Sequence, residues 1–311
     1  MRGFVGVIAG LLILQCGAAA QQKPEATSLL GQPLVPPAPS EQARPTLEAN
    51  LAKAQEAYKA NPGDADAIIW LGRRLAYLGR YRDAIATFSE GVQKHPKDAR
   101  MYRHRGHRYI TVREFDRAAT DLARAAELVS GRPDEVEPDG APNASNIPTS
   151  TLNTNIYYHL GLAHYLRGQF EPALKAYREC ERFSKNPDML VATTHWLYMT
   201  LRRLDRIGEA KQVLDPISAK MEIIENMSYH RLLMLYKGEE KPDALLASVS
   251  EGGLDAVTIG YGVGNYHFYN GRRDQAMPIF RSIVEKQANQ WPAFGYVAAE
   301  AELARDTAAK R

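Results

Sequence analysis

Two pairs of histidines, one cysteine and one glycine-rich stretch are the residues of this chain whose types and spacing could do chemistry. His104 and His107 lie three apart, and His159 and His164 five apart. Histidines three apart on a helix can share a zinc ion if further ligands close the site. No third ligand of the right kind stands nearby, and the chain has no H-E-x-x-H. These side chains are therefore expected as helix-surface and interface histidines. Cys180 lies on an apolar helix face, where a single thiol is expected as a small buried filler rather than a nucleophile. The stretch GYGVGNY, 260–266, contains G-x-G-x-G, but a dinucleotide loop needs a strand before it and a helix after it. Neither G-x-x-x-x-G-K nor G-x-S-x-G occurs, and no paired carboxylates mark a pocket. No enzyme, cofactor or metal is expected.

The elements that must position these residues begin after a leader. MRGFVGVIAGLLILQCGAAAQQ has Arg2 as a positive head, an apolar run from Phe4 to Leu14 and a small-residue end at Ala18–Ala20. That is the pattern of an export signal, with cleavage expected after Ala20. The apolar run is about half of what a membrane-spanning helix of ~20 residues requires. Lipid attachment at Cys16 is the alternative, but Gln15 stands where such a box wants a small residue. Residues 21–44 are rich in Pro, Gln, Ser and Ala without periodicity, and are expected as a flexible linker. With Cys16 removed, Cys180 has no disulfide partner, so packing must hold the fold. The formal charge of +3 is too small to argue for nucleic acid as a partner.

From Pro45 the chain has helical period, and one layout recurs. A glycine is followed twelve residues later by alanine and four further on by a large side chain: Gly72, Ala84 and Phe88; Gly106, Ala118 and Leu122; Gly161, Ala173 and Tyr177; Gly264, Ala276 and Phe280. Without the glycine, Tyr198, Ala210 and Leu214 repeat it, and Leu232 with Ala244 form a worn copy. Gly72 to Gly106 is 34 residues, and Gly106 to Gly161 is 55, which is 34 plus an insert of 21. Small residues at recurring positions let two helices approach closely. Gly79 and Gly168 fall where a helix must stop, with Pro96 and Pro187 after second helices. The first pair is expected at 65–78 and 81–95.

The period and these residues resemble the tetratricopeptide repeat, over about 44–306. The resemblance implies an all-α, right-handed superhelical solenoid of about six helix pairs plus end helices. TLEANLAKAQEAYKANPGD would lead in as a lone second helix, WPAFGYVAAEAELAR (291–305) would close the array, and 307–311 would be a tail. In this family the first helices line a concave surface that grips a peptide or partner helix. By helical spacing that surface comprises Arg73, Tyr77, Arg100, Arg103, His107, Tyr158 and Tyr165, then His195, Met199, Arg202 and Arg203, then Tyr229, Tyr236, Tyr261, Asn265 and Tyr269. Arginine forks onto carboxylates and tyrosine offers rigid contact area, so an acidic or extended peptide, or a helix, is the expected protein partner.

The insert 130–153 carries Asp134, Glu135, Glu137 and Asp139 with four prolines. It is expected as an exposed loop, or as a tethered competitor that folds into the basic groove. The function expected is a non-enzymatic interaction scaffold of the cell envelope, periplasmic or secreted. The alternative is a carbohydrate or envelope-polymer binder whose tyrosines stack sugar rings.

Overall fold

The computed structural model describes residues 23–309, so the expected leader and the last two residues lie outside it. After a two-stranded hairpin, β1 (Ala26–Thr27) and β2 (Pro33–Leu34), helix α1 (Arg44–Ala60) leads into six helix pairs. They are α2 (Ala65–Tyr77) with α3 (Tyr81–Lys94), α4 (Ala99–Thr111) with α5 (Phe115–Val129), and α6 (Leu152–Leu166) with α7 (Phe170–Phe183). Then come α8 (Pro187–Arg203) with α9 (Ile207–Gln212), α10 (Met227–Lys237) with α11 (Pro242–Ala247), and α12 (Leu254–Tyr269) with α13 (Arg273–Lys286). Helix α14 (Phe294–Ala309) closes the series and absorbs most of the expected tail.

Local chemistry sets the ends. Asp64, Asp98 and Asn186 accept backbone N–H groups at the starts of α2, α4 and α8, and Thr151 with Thr154 forms a capping box at α6. The turn inside each pair needs one left-handed residue. Gly79, Gly168, Gly238 and Gly271 take it at φ between 74° and 85°. In the α4–α5 turn the place is filled by Arg113 at φ 68°, and in the α8–α9 turn by Asp205 at φ 57°. A non-glycine residue there carries backbone strain that its surroundings must offset; Arg113 does so with a buried ion pair described below.

The crossings obey the repeat. A Cβ on Gly72 would lie 2.5 Å from the Phe88 ring, on Gly161 2.7 Å from Tyr177, on Gly264 2.5 Å from Phe280, and on Gly106 2.7 Å from Leu122. Thus the large residue of each copy seats on its own unit's glycine, and Phe88 also stacks on His104 of the next unit at 5.4 Å. Ala84, Ala118, Ala173, Ala210 and Ala276 are fully buried. Ala244 is not: it is exposed, and Leu245 takes the buried place, because the short α11 is shifted by one residue. All of GYGVGNY lies within α12, with Gly262 against Leu232 and Gly260 against Ile283, which removes the nucleotide-loop reading.

The expectation of a flexible linker fails for residues 23–36. Glu25 bonds the Arg82 backbone and guanidinium, and Ser28 Oγ accepts the N–H groups of Leu30 and Gln32. Ala26 and Leu34 are buried, Pro36 packs over Gly79, and the Val35 carbonyl accepts the Trp291 indole N–H at 2.6 Å. Low periodicity hid a segment that is tied down by turn bonds and by α14.

Helix α14 packs on α12 and α13, where Gly295 lets the backbones approach, and also reaches the opposite end of the array. Glu300 accepts hydrogen bonds from Arg113 Nη2 at 2.8 Å and the Leu29 N–H at 2.5 Å, and Arg113 also donates to the Trp291 carbonyl. Trp291 meets Tyr81 edge-on at 5.5 Å, and Arg305 donates to the Leu166 carbonyl. First and last units are therefore in direct contact, and the solenoid coils tightly upon itself.

Candidate docking cleft

Tight coiling divides the expected concave surface in two. From α6 to α12 most of it is filled by its own side chains. Tyr261 Oη donates to Tyr165 Oη at 2.9 Å, and Asn265 Nδ2 donates to the same oxygen at 2.8 Å. Tyr165, Met199 and Asn265 are wholly inaccessible, with His195 and Tyr261 at 1% exposure. Tyr236 stacks on Tyr198 at 4.4 Å and bonds His195 Nδ1 through its hydroxyl, and Tyr158 bonds Tyr229. Arg203 pairs with Glu302 of α14 at 2.5 Å between the rings of Phe170 and Phe268. Arg202 donates to Tyr198 and Asn270 and lies over Tyr269 at 4.3 Å. Tyr158, Tyr165, His195, Met199, Tyr236, Tyr261 and Asn265, expected as a docking wall, form instead a buried polar-aromatic core, whereas Arg202, Arg203, Tyr229 and Tyr269 stay partly exposed. Their correction has a simple cause: helical spacing shows which residues face inward, but the superhelical pitch decides whether a lumen remains.

Among the described residues two openings remain: one between α4, α10, α12 and α14, lined by His107, Tyr229 and Phe294, and one on the wall made by α2 and α4. Arg73, Tyr77, Arg103 and His107 line one cleft of about 100 Å³ there, joined by Arg108 and by Glu137 from the insert. Arg100, though on the same helix, is drawn away: it binds Asp98 at 2.6 Å and Asp66 at 2.7 Å. Arg73 and Arg74 both lie on the Trp70 ring, at 4.5 and 4.8 Å, which holds their charged heads over the cleft edge. Arg103 Nε stands 2.9 Å from Glu137 Oε2, and His104 Nε2 is 3.9 Å from the other carboxylate oxygen. The Arg103–Glu137 contact is an ion pair without hydrogen-bond alignment, since both facing atoms lack a hydrogen-bond partner. Burial pushes the Arg108 guanidinium down to about 10, aided by Arg103 and Arg73. Burial first, and then the arginines, hold His104 and His107 well below the ordinary imidazole range, so both are neutral near pH 7. Three guanidinium groups thus face one carboxylate, leaving a surplus of positive charge in a semi-enclosed space.

The candidate chemical residues do not converge. His104 lies on Phe88, whereas His107 packs against the His159 ring at 4.2 Å and near Phe294. His164 bonds Gln169. Among the described residues no group of three His, Cys, Asp or Glu side chains could hold a metal ion. Cys180 is fully buried beside Thr193 Oγ1 at 3.2 Å, and burial pushes its thiol up to about 12, so it is no nucleophile near pH 7. Spacing missed Arg74, Arg108 and Glu137. Arg108 falls four residues after His104, one turn on along the same helix face; Glu137 belongs to a loop whose path no period encodes.

Six helix pairs, four of them with the same glycine crossing, give this chain an α-solenoid that resembles the tetratricopeptide repeat. No family model matches it. Over 159 residues it is 24% identical to BBSome complex member BBS4 of Bos taurus, covering 50% of this chain and 26% of that protein. The Mus musculus protein of the same name is 24% identical over 157 residues, 49% of this chain and 26% of that one. The chain thus spans about a quarter of the length of these curated relatives. Among solved structures it is similar to YrrB, described as a TPR protein with an unusual peptide-binding site, at 14% identity and TM-score 0.43, covering 80% of this chain and 97% of that one. PilF of Pseudomonas aeruginosa gives 14% identity and TM-score 0.46, covering 80% and 90%. Both scores are low, and the resemblance rests on the chain's own repeat. Among the described residues no helix is long and apolar enough to cross a membrane.

Proposed function

We propose that this chain is a non-catalytic protein-interaction scaffold, exported to the cell envelope, that receives an acidic peptide segment on the wall of α2 and α4. The observation that carries the proposal is the charge imbalance of the cleft, where Arg73, Arg103 and Arg108 face the single carboxylate of Glu137. Burying cations without counter-charge costs free energy, and an anionic partner removes that cost. Arginine also binds a carboxylate with two parallel N–H donors, which favours Asp and Glu side chains over other anchors. The limited likeness to a BBSome member agrees with a chain that works by docking to other proteins. The carbohydrate-binding alternative has less support, because Tyr165, Tyr236 and Tyr261 are buried within the solenoid.

The test is affinity capture from the cell envelope with the mature chain, whose first residue is expected to be Gln21, against the variant R73E/R74E. Both arginines are only half-buried, so the variant is expected to fold. Loss of the captured partner from the variant supports the wall as the docking surface. Equal recovery by both chains contradicts it.

A further inference from the structure

The insert between α5 and α6 runs into the basic cleft and behaves there as a ligand. Its ends are held firmly. Asp134 Oδ1 accepts the N–H groups of Glu135 and Asn153, the Glu135 carbonyl accepts from Leu152, and Val136 pairs with Thr151. Farther on, Asn143 and Thr149 both donate to Glu225, just before α10, and the Thr149 carbonyl accepts from Asn186. Between these anchors the chain passes along α2 and α4. Glu137 meets Arg103, and three residues later the Gly140 carbonyl accepts a hydrogen bond from Arg74 Nη1 at 2.7 Å. Gly140 is pressed so close to the wall that a Cβ there would stand 2.1 Å from Tyr77 Oη and 2.7 Å from Arg73 Nη2.

We propose that residues 135–140, EVEPDG, are an intramolecular pseudo-ligand of the cleft, and that the true partner is an extended acidic peptide that displaces them by presenting a carboxylate to Arg103 and a side-chain-free residue three positions later to Arg74 and Tyr77. This inference rests on the docking function proposed above and adds its regulation and its specificity. The contacts define the recognised pattern. One charged side chain is read by an arginine, one backbone carbonyl by a second arginine, and one close approach excludes a Cβ. An extended segment with Pro at the intervening position needs little ordering entropy to match it. The carboxylate of Glu137 is the cis copy of that anchor; its incomplete hydrogen bonding leaves room for a better-seated competitor. A tether of this length presents its segment at roughly millimolar effective concentration. A free peptide with a dissociation constant near 100 µM would then be masked about tenfold by the insert.

The experiment uses the full mature chain and a variant in which 137–141 are replaced by a Gly-Ser linker of equal length, which keeps both sets of anchors. The probe is a fluorescent peptide of sequence PDEVEPDGA, this chain's own 133–141, followed by anisotropy. The opened variant is expected to bind it about tenfold more tightly than the intact chain. A probe carrying Gln in place of Glu137, or Ala in place of Gly140, is expected to lose most of that binding. Thermal unfolding of both chains checks that the linker leaves the fold intact, and E137Q, which removes only the cis anchor, serves as a second opened form. Equal binding by opened and intact chains overturns the pseudo-ligand while leaving the cleft as an acidic-peptide site. Binding by neither, with normal unfolding, overturns both.

Discussion

Replacing Glu300 with alanine is expected to destabilise the chain by about 3–5 kcal/mol, the cost of leaving a buried charge without its partner. Glu300 is wholly inaccessible and the Arg113 side chain is 3% exposed, so no water can compensate for the lost carboxylate. The same side chain also accepts the Leu29 N–H, which ties the N-terminal hairpin to the last helix. One substitution therefore opens the contact between the two ends of the solenoid. It also leaves the left-handed Arg113 without its ion pair, held only by its bonds to the Thr111 and Trp291 carbonyls. Urea unfolding measures the effect. The double variant R113M/E300L is expected to recover most of the stability, because removing both charges removes the unpaired one. A loss below about 1 kcal/mol for E300A would mean the pair is solvated.

Acidification is expected to produce the other large effect. His104, His107 and His159 are held well below the ordinary imidazole range, first by burial and then by Arg103 and Arg108 among other neighbours. Burial alone pushes His195 down to about 3. An unfolded histidine titrates near ~6.5, so in acid the unfolded chain binds protons that the folded chain refuses. The stability tied to these four rings is complete above about 6.5 and falls as pH drops toward the folded values, by up to about 1.4 kcal/mol per pH unit for each ring. The acid side alone is affected. Calorimetry in two buffers of different ionisation enthalpy at pH 5.5 should find net proton uptake on unfolding. No uptake there would show that these rings are protonated in the fold.

How much could be seen in the residues follows from the range of the interactions involved. The Gly72–Ala84–Phe88 layout and its copies are contacts inside one helix pair, so local spacing exposes them, and the observed α2 and α3 differ from the expected helices by one residue at their ends. The stop in the α4–α5 turn was legible only as a departure: Arg113 stands 34 residues after Gly79, where the period wants glycine. That substitution hints at a special role for the side chain, but its partner Glu300 lies 187 residues away. The inner wall shows the limit most clearly. Tyr165 and Arg73 occupy equivalent inward stripes, yet one bonds Tyr261 in a closed core and the other borders an open cleft. The difference arises from the curvature summed over several units and from where α14 inserts, neither of which leaves a mark in a single repeat. Tyr158 with Tyr229 and Tyr165 with Tyr261, read as docking surface, satisfy one another's hydroxyls, as an aromatic side chain with a polar tip tends to when it is buried.

Hydrogen–deuterium exchange in the presence of an acidic peptide tests the docking wall most directly. With the peptide EVEPDG added, new protection is expected in α2 and α4 of the variant whose insert carries the Gly-Ser linker, and loss of protection in 134–141 of the intact chain. Exchange in α8, α10 and α12 should stay unchanged, because their inward faces are already filled. Protection confined to those later helices, or to the outer helices α3 and α5, would contradict a docking site on the α2–α4 wall.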